Sequence, residues 1–329
     1  MYRNVKKDEW TGRTDSTTLR SAFRFHQIVD SIHIEKEDIT PKKEFEHQVN
    51  MALIGFECDE GVSRNNGRPG AVDGPKHFRK ALSPLPIHNE YLHLTDYGDV
   101  ICHKNKMEEA QSELGDKISN ILLHNDFTVI IGGGHEVLYG HYLGVRKANK
   151  DKKIGIINID AHFDMRDYEE KPSSGTMFKQ ILDQDDQVGY FVLGIQKNGN
   201  TKALFERADE YGVQYIREDE LRSHLSIETI TSINSFIEGY DEILITLCTD
   251  SIDVSYAPAV SAPCIMGLQP QIVQTILQLV TNSNKSSSIS IAELSPRFDI
   301  DNRTARLLAN IASNIYHDQA EVIQSQWES

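Results

Sequence analysis

Cysteine is scarce: four in 329 residues, Cys58, Cys102, Cys248 and Cys264, with no two at zinc-knuckle spacing. That excludes a disulfide framework and fits a reducing compartment. Basic residues are in the minority, 34 Lys and Arg against 49 Asp and Glu, for a formal net charge of −15. Such a surface does not neutralise phosphates, so nucleic acid is not an expected partner. Long apolar runs are missing too: none approaches the roughly 18 residues that span a bilayer, and Met1 to Trp10 carries no secretory apolar stretch. The expected setting is the cytoplasm, with no membrane partner. Internal repeats and composition shifts are absent, and low complexity is confined to 282–288. Residues 1–329 therefore read as one domain, with the polar segment 1–48 expected to lie at the periphery as helix and loops.

The apolar residues that are present fall in short runs without strict alternation: Met51 to Phe56, Phe127 to Ile131, Ile154 to Ile159, Tyr190 to Ile195, Ile243 to Cys248 and Ser288 to Leu294. Strands buried on both faces have this pattern. Segments with helical spacing lie between them: Met107 to Leu123, Glu136 to Ala148, Lys202 to Tyr211, Ser226 to Ile237, Pro270 to Val280 and Asn302 to Tyr316. The alternation predicts an α/β fold, a mostly parallel sheet covered by helices.

Ligand sites in such sheets gather at the carboxyl ends of strands. Three predicted strands end in ligand-type side chains: Gly132-Gly133-Gly134-His135-Glu136, Asp160-Ala161-His162-Phe163-Asp164 and Cys248-Thr249-Asp250. Residues two apart in an extended segment point the same way, so Asp160, His162 and Asp164 present two carboxylates and an imidazole to one side. Taken singly, the glycine run reads as a strand-to-helix turn and Asp160 as a helix N-cap. Together the acids point to metal, because charge at a buried strand end is costly unless compensated. Oxygen-rich ligation with imidazole suits Mn²⁺ better than a thiophilic ion. Two ions about 3.5–4 Å apart would share a water and lower its pKa, providing a nucleophile at neutral pH. His135, after three glycines that permit a tight turn, adds a ligand from the neighbouring strand.

These segments, with Tyr256-Ala257-Pro258-Ala259-Val260-Ser261-Ala262-Pro263, resemble the ureohydrolases, the arginase and agmatinase superfamily, from about Met51 to Tyr316. Within it the closer resemblance is to the formimidoylglutamases. It is carried by Leu53-Ile54-Gly55-Phe56-Glu57-Cys58-Asp59, Gly61-Val62-Ser63-Arg64-Asn65-Asn66-Gly67-Arg68, Ser173-Ser174-Gly175-Thr176 and Ile291-Ala292-Glu293-Leu294-Ser295-Pro296. The resemblance implies a three-layer α/β/α sandwich, a homo-oligomer (trimer or hexamer) and two Mn²⁺ per subunit. It also implies hydrolysis of N-formimidoyl-L-glutamate to L-glutamate and formamide, a step of histidine degradation. By the same resemblance His135, Asp160 and Asp164 bind the first ion, and Asp160 as a bridge, His162 and Asp250 bind the second. Glu293 falls where the family places a carboxylate that pairs with the substrate's cationic nitrogens. A protonated formimidoyl group is a planar amidinium, so a facing carboxylate supplies charge-assisted hydrogen bonds and orients the carbon.

Two departures matter. Alignment on Tyr256-Ala257-Pro258 puts Cys248 where the family has its first, bridging Asp, and Asp250 on the second. Asp253, three residues from Asp250, would face another way on a strand. A thiolate at Cys248 is a soft ligand, expected to weaken the second metal site or alter its preference; the alternative is a small buried Cys with no metal role. Phe178 stands where arginase has a proton-shuttling His, which argues against arginase itself. Proton delivery to the leaving amine then falls to the metal-bound water or to Asp164.

The substrate carries two carboxylates, and charges beyond roughly 8 Å are screened, so local cations decide recognition. Arg64 and Arg68, in a glycine-flanked loop, and Arg166, two residues past Asp164, are the candidate clamps, with Ser174 and Thr176 as hydroxyl donors. A second enzyme reading is an agmatinase or guanidino-acid hydrolase, although agmatine has no use for Arg64 and Arg68. A catalytically silent binding subunit is the reading from another class. Retention of His135, Asp160, His162, Asp164 and Asp250 speaks against it.

Overall fold

Runs that are apolar at every position need cover on both faces. In the computed structural model of the chain, which describes residues 1–43, 47–168, 171–222 and 224–327, they form the inner strands of a single sheet. The strands are β1 (Tyr2–Arg3), β2 (Val29–Ser31), β3 (Val49–Glu57), β4 (Leu92–Ile101), β5 (Phe127–Ile131), β6 (Ile154–Ile159), β7 (Val188–Ile195), β8 (Gln214–Arg217), β9 (Glu242–Cys248) and β10 (Ser288–Ala292). The α-helices are α1 (Phe25–Ile28), α2 (Glu60–Arg64), α3 (Gly74–Leu82), α4 (Met107–Ile121), α5 (Val137–Ala148), α6 (Met177–Gln184), α7 (Lys202–Glu210), α8 (Ile227–Glu238), α9 (Pro270–Thr281) and α10 (Arg303–Ser325). Sheet order is β1-β4-β3-β5-β10-β9-β6-β7-β8, with β2 also on β4, and every pair is parallel except β1 with β4.

Alternate residues of a strand face opposite layers. Met51 and Leu53 of β3 and Ile157 and Ile159 of β6 pack with α3, α8, α9 and α10. Ala52 and Ile54 of β3 pack toward α4 and α5, and Ile154 and Ile156 of β6 toward α5, α6 and α7. The result is the three-layer α/β/α sandwich. Parallel register brings the strand ends level: Ile291 of β10 pairs with Ile131 of β5, Ala292 with Cys248 of β9, and Leu247 with Ile159 of β6. The segments that follow β5, β6, β9 and β10 therefore emerge side by side.

Two expectations needed correction. The segment 1–48, of which 44–46 lie outside the described residues, is not only helix and loops. Both β1 and β2 pair with β4, and Val5, Trp10, Phe25 and Ile28 are buried in the main core. Strands of two or three residues have no periodicity to read. Nor did β4 register as an apolar run, because His93, Thr95, Asp96 and Asp99 interrupt it, yet all four are buried.

The buried acids of β4 are paired. Arg79 of α3, fully buried, donates through Nε and Nη2 to Asp96 at 2.7 and 2.9 Å and through Nη1 to Asp99 at 2.7 Å. Trp10 Nε1 donates to Asp96 at 2.7 Å, and Arg3 reaches both Asp99 and Glu57. Replacing Arg79 by Met leaves two buried carboxylates without this cation and is expected to cost about 3–5 kcal/mol in urea unfolding. A loss below about 1 kcal/mol would mean that the pair does not hold α3 on β4.

Candidate metal centre

The turn after β5 is fixed by close backbone approach. A Cβ on Gly133 would collide with the Cys58 carbonyl, so only glycine fits there. His135 follows, buried, with its Nε2 3.1 Å from Thr246 Oγ1 on β9, and Thr246 is itself 2.9 Å from Ser290 Oγ on β10. Its Nδ1 lies 3.0 Å from Asp160 Oδ2 and 2.9 Å from Asp164 Oδ2. Protonated on both nitrogens, His135 reaches Thr246 with Nε2 and the two carboxylates with Nδ1; with an ion between them, Nδ1 would turn its lone pair to that ion instead. Burial opposes charge on His135, but Asp160 and Asp164 outweigh it and raise its pKa to about 10.

His162 repeats the arrangement. Its Nδ1 is 3.5 Å from Asp160 Oδ1 and 3.4 Å from Asp250 Oδ2. Asp160, directly after β6, is fully buried and sits between the two imidazoles. Its Oδ1 accepts the His162 backbone N–H at 2.9 Å and its Oδ2 the Asn158 side-chain amide at 3.2 Å. Burial favours its neutral form, but His135 and His162 prevail and hold it below the usual carboxylate range. Asp164 takes a left-handed conformation, φ 49°, and burial together with the Asp160 charge raises it to about 6.

Two further acids close the site. Asp250 lies in the 3-10 turn after β9, and its Oδ1 is buried with no hydrogen-bond partner among the described residues. Glu293, just past β10 with φ 69°, accepts the His135 backbone N–H on Oε1 at 3.1 Å, while its buried Oε2 has no hydrogen-bond partner among the described residues. Burial, then the Asp250 and Glu136 charges, raise Glu293 to about 8. Cys248 is buried, and desolvation with the neighbouring acids pushes its thiol well up. Two ligand groups emerge, His135–Asp160–Cys248 and Asp160–His162–Asp250, sharing Asp160.

These residues fit a pair of divalent ions. Ligands at right angles around an ion with bonds of about 2.1 Å stand about 3 Å apart. That is the spacing of His135 Nδ1 from its two carboxylate oxygens. The orphaned Asp250 oxygen is accounted for in the same way. Cys248 stands with His135 and Asp160, on the side expected for the first ion, rather than with the His162–Asp250 group whose weakening the sequence suggested.

Several expected substrate contacts are spent elsewhere. Arg64 is held by Glu60 at 2.9 Å, by Glu108, and by the carbonyls of Pro172 and Asn105, both at 3.0 Å, so it ties loops together instead of facing a substrate. Arg68 donates to the carbonyls of Ser261 and Val260 at 2.8 and 2.6 Å and lies 4.1 Å from the Phe298 ring centre. The Thr176 hydroxyl is engaged in the turn with Ser173 and Gln180. Arg166 stays exposed, its Nη1 3.4 Å from Asn65 Oδ1, and Ser174 is anchored through its N–H to Gly61. Phe178 stacks on Tyr190 at 3.9 Å and presents its edge to His135.

Sequence reasoning passed over Asn158, Thr246 and Ser290, the polar positions inside three apolar strands. Each lies two residues before a residue at its strand end, Asp160, Cys248 and Ala292, and so points to the same face. A polar residue at site parity within an apolar run was the available signal.

The arginase family model matches residues 49–317. The chain belongs to the arginase family. Among its relatives, formimidoylglutamase of Lysinibacillus sphaericus (strain C3-41) is 49% identical over 93% of this chain and 94% of its own length. That of Staphylococcus aureus (strain MRSA252) is 40% identical over 94% and 98%. The crystal structure of formimidoylglutamase from Bacillus subtilis subsp. subtilis str. 168 has TM-score 0.78 at 21% identity, over 92% of this arginase-family chain and 94% of that one. Trypanosoma cruzi formiminoglutamase, solved with a pair of Mn²⁺ ions, has TM-score 0.76 at 24% identity, over 84% and 96%. At those identities the two structures establish the fold.

In metal-stripped protein the folded state binds a proton at Glu293 more tightly than the unfolded chain does. Its contribution to stability is present below the unfolded pKa of about 4.5 and is lost as pH rises through about 8. Thermal unfolding of the stripped protein between those limits should show a fall in stability with pH that Glu293→Gln reduces. Equal slopes in both proteins would contradict the burial assigned to Glu293.

Proposed function

We propose that the chain is a Mn²⁺-dependent formimidoylglutamase, hydrolysing N-formimidoyl-L-glutamate to L-glutamate and formamide in histidine degradation. The observation that carries this reading is near-full-length identity of 49% to a formimidoylglutamase in a chain whose Asp160 sits between two imidazoles. The Mn²⁺ pair of the Trypanosoma cruzi protein supports the choice of metal.

His135, Asp160 and Asp164, with Cys248 beside them, would hold one ion, and Asp160, His162 and Asp250 the other. Bound ions supply Lewis acidity and lower the pKa of a coordinated water. The rest is done by side chains. Glu293 offers Oε2 to the amidinium N–H groups while its Oε1 stays on the His135 backbone, which orients the formimidoyl carbon toward Asp160. Asp164 would take the proton that the attacking water loses and pass it to the departing amine. Phe178 seals the His135 side and moves no proton. Arg166 and Ser174 remain as contacts for a substrate carboxylate, whereas Arg64, Arg68 and Thr176 shape the loops.

No helix among the described residues is long and apolar enough to cross a membrane. We place the enzyme in the cytoplasm, as one domain over 1–329, and expect a homo-oligomer, trimer or hexamer.

Metal-stripped protein should release glutamate from N-formimidoyl-L-glutamate only after Mn²⁺ is added, and should leave agmatine and arginine untouched. Outer-shell changes at metal sites cost about 10–100-fold, so Asp250→Asn, at a direct ligand, should cost more than that in kcat/KM. Turnover of agmatine or arginine instead, or full activity of Asp250→Asn, would refute the proposal.

A further inference from the structure

The arginines expected to clamp the substrate are largely committed to protein partners, which leaves the recognition of a dicarboxylate unexplained. A cavity of about 500 Å³ opens beside the metal centre, with His162, Lys197, Asn198, Glu218, Cys264 and Met266 among its lining residues. His162 thus belongs to both: Nδ1 faces Asp160 and Asp250, and the far edge of the ring lies close to Gly199. A Cβ on Gly199 would stand 3.3 Å from His162 Nε2 and Cδ2, so the glycine keeps the cavity open up to the imidazole.

Lys197 begins the 3-10 turn Lys197–Gly199 at the carboxyl end of β7, two strands from β9 in the sheet. The walls on either side of it are held together, because Gln196 Nε2 donates to the carbonyls of Ile265 and Met266, both at 3.1 Å. Lys197 is exposed and makes no hydrogen bond or ion pair with the described residues. Of the cavity's lining side chains it is the one with a fixed positive charge, and Glu218 is the one carboxylate. An anionic group is therefore held there only where Lys197 outweighs Glu218.

We propose that Lys197, with the Asn198 amide beside it, receives the distal (γ) carboxylate of the glutamyl substrate in this cavity. The inference rests on the reading under Proposed function. The α-carboxylate is attached next to the reacting nitrogen and stays close to the metal centre, within the province of Arg166 and Ser174. The γ-carboxylate lies two carbons further from that nitrogen and needs a cation displaced from the reacting carbon, in a channel that starts at a metal-site residue. Lys197 meets both conditions and spends no charge on an internal partner.

The test pairs variant and substrate. Kinetics of Mn²⁺-loaded wild type, Lys197→Met and Lys197→Arg would be measured on N-formimidoyl-L-glutamate and on N-formimidoyl-L-2-aminobutyrate, which lacks the γ-carboxylate. A charge-assisted contact predicts that Lys197→Met raises KM for the full substrate about 10- to 100-fold, with kcat changed less than about threefold. KM for the truncated substrate should not move, and Lys197→Arg should restore most of the loss. Calorimetric titration with L-glutamate and with L-2-aminobutyrate gives a readout without turnover: Lys197→Met should weaken the first and leave the second unchanged. An equal rise in KM for both substrates, or no rise for either, would overturn the assignment. Wild-type protein that turns over neither compound would instead refute the functional reading. The glutamate titration then decides the Lys197 contact by itself: loss of binding in Lys197→Met supports it, and unchanged binding overturns it.

Discussion

Four carboxylates and a thiol converge at one edge of the sheet, and their mutual repulsion is the constraint around which the structure is organised. Asp160, Asp164, Asp250 and Glu293 are all screened from bulk water, and each raises the cost of charging another. In water such a cluster would disperse; under the loops, desolvation makes every uncompensated charge expensive. The two imidazoles, when protonated, answer part of this, each through Nδ1, the atom turned toward the acids. A pair of divalent cations would answer the remainder. In the proposed enzyme the orphaned oxygens of Asp250 and Glu293 would serve an ion and a cationic substrate, respectively.

The fold creates this situation by geometry. Parallel pairing in near-level register delivers the ends of β5, β10, β9 and β6 to the same edge, and each end releases its ligand within a few residues. Asp164 and Glu293 both turn through left-handed backbone as the chain leaves the sheet, conformations that non-glycine residues adopt at a cost. Burial in the surrounding layers meets that cost, and the same layers are locked on the far side by Arg79 between Asp96 and Asp99. The acids at β4 and those after β6 and β9 pose the same problem, buried charge that needs a partner: Arg79 supplies it at β4, and metal would supply it at the other edge.

Much of this was legible in the residues alone. Strands β5 and β6 lie where their apolar runs begin and end, because a run apolar at every position has few places to go except a doubly covered strand. The acids at the strand ends were legible because alternation after such a run has no cheap structural use. The arginines were not. Arg64 and Arg68 have the chemistry of a carboxylate clamp, but Glu60, Glu108 and four backbone carbonyls claim them, and all of these except Glu60 lie more than forty residues away, where no local pattern announces them. Lys197 escaped notice for the opposite reason: a lone lysine after a strand looks like any solvated side chain until the cavity beside His162 is seen. The buried polar strand β4 was hidden by the very residues that Arg79 neutralises.

The central claim is that the Asp160-centred cluster is built for two ions sharing one carboxylate. Titration of metal-stripped protein with Mn²⁺, followed by calorimetry and by electron paramagnetic resonance on the same samples, tests it most directly. Two ions per chain, with a spin-coupled signal at saturation that is lost in Asp160→Asn, is the result predicted. A single uncoupled ion per chain, or none, would contradict it.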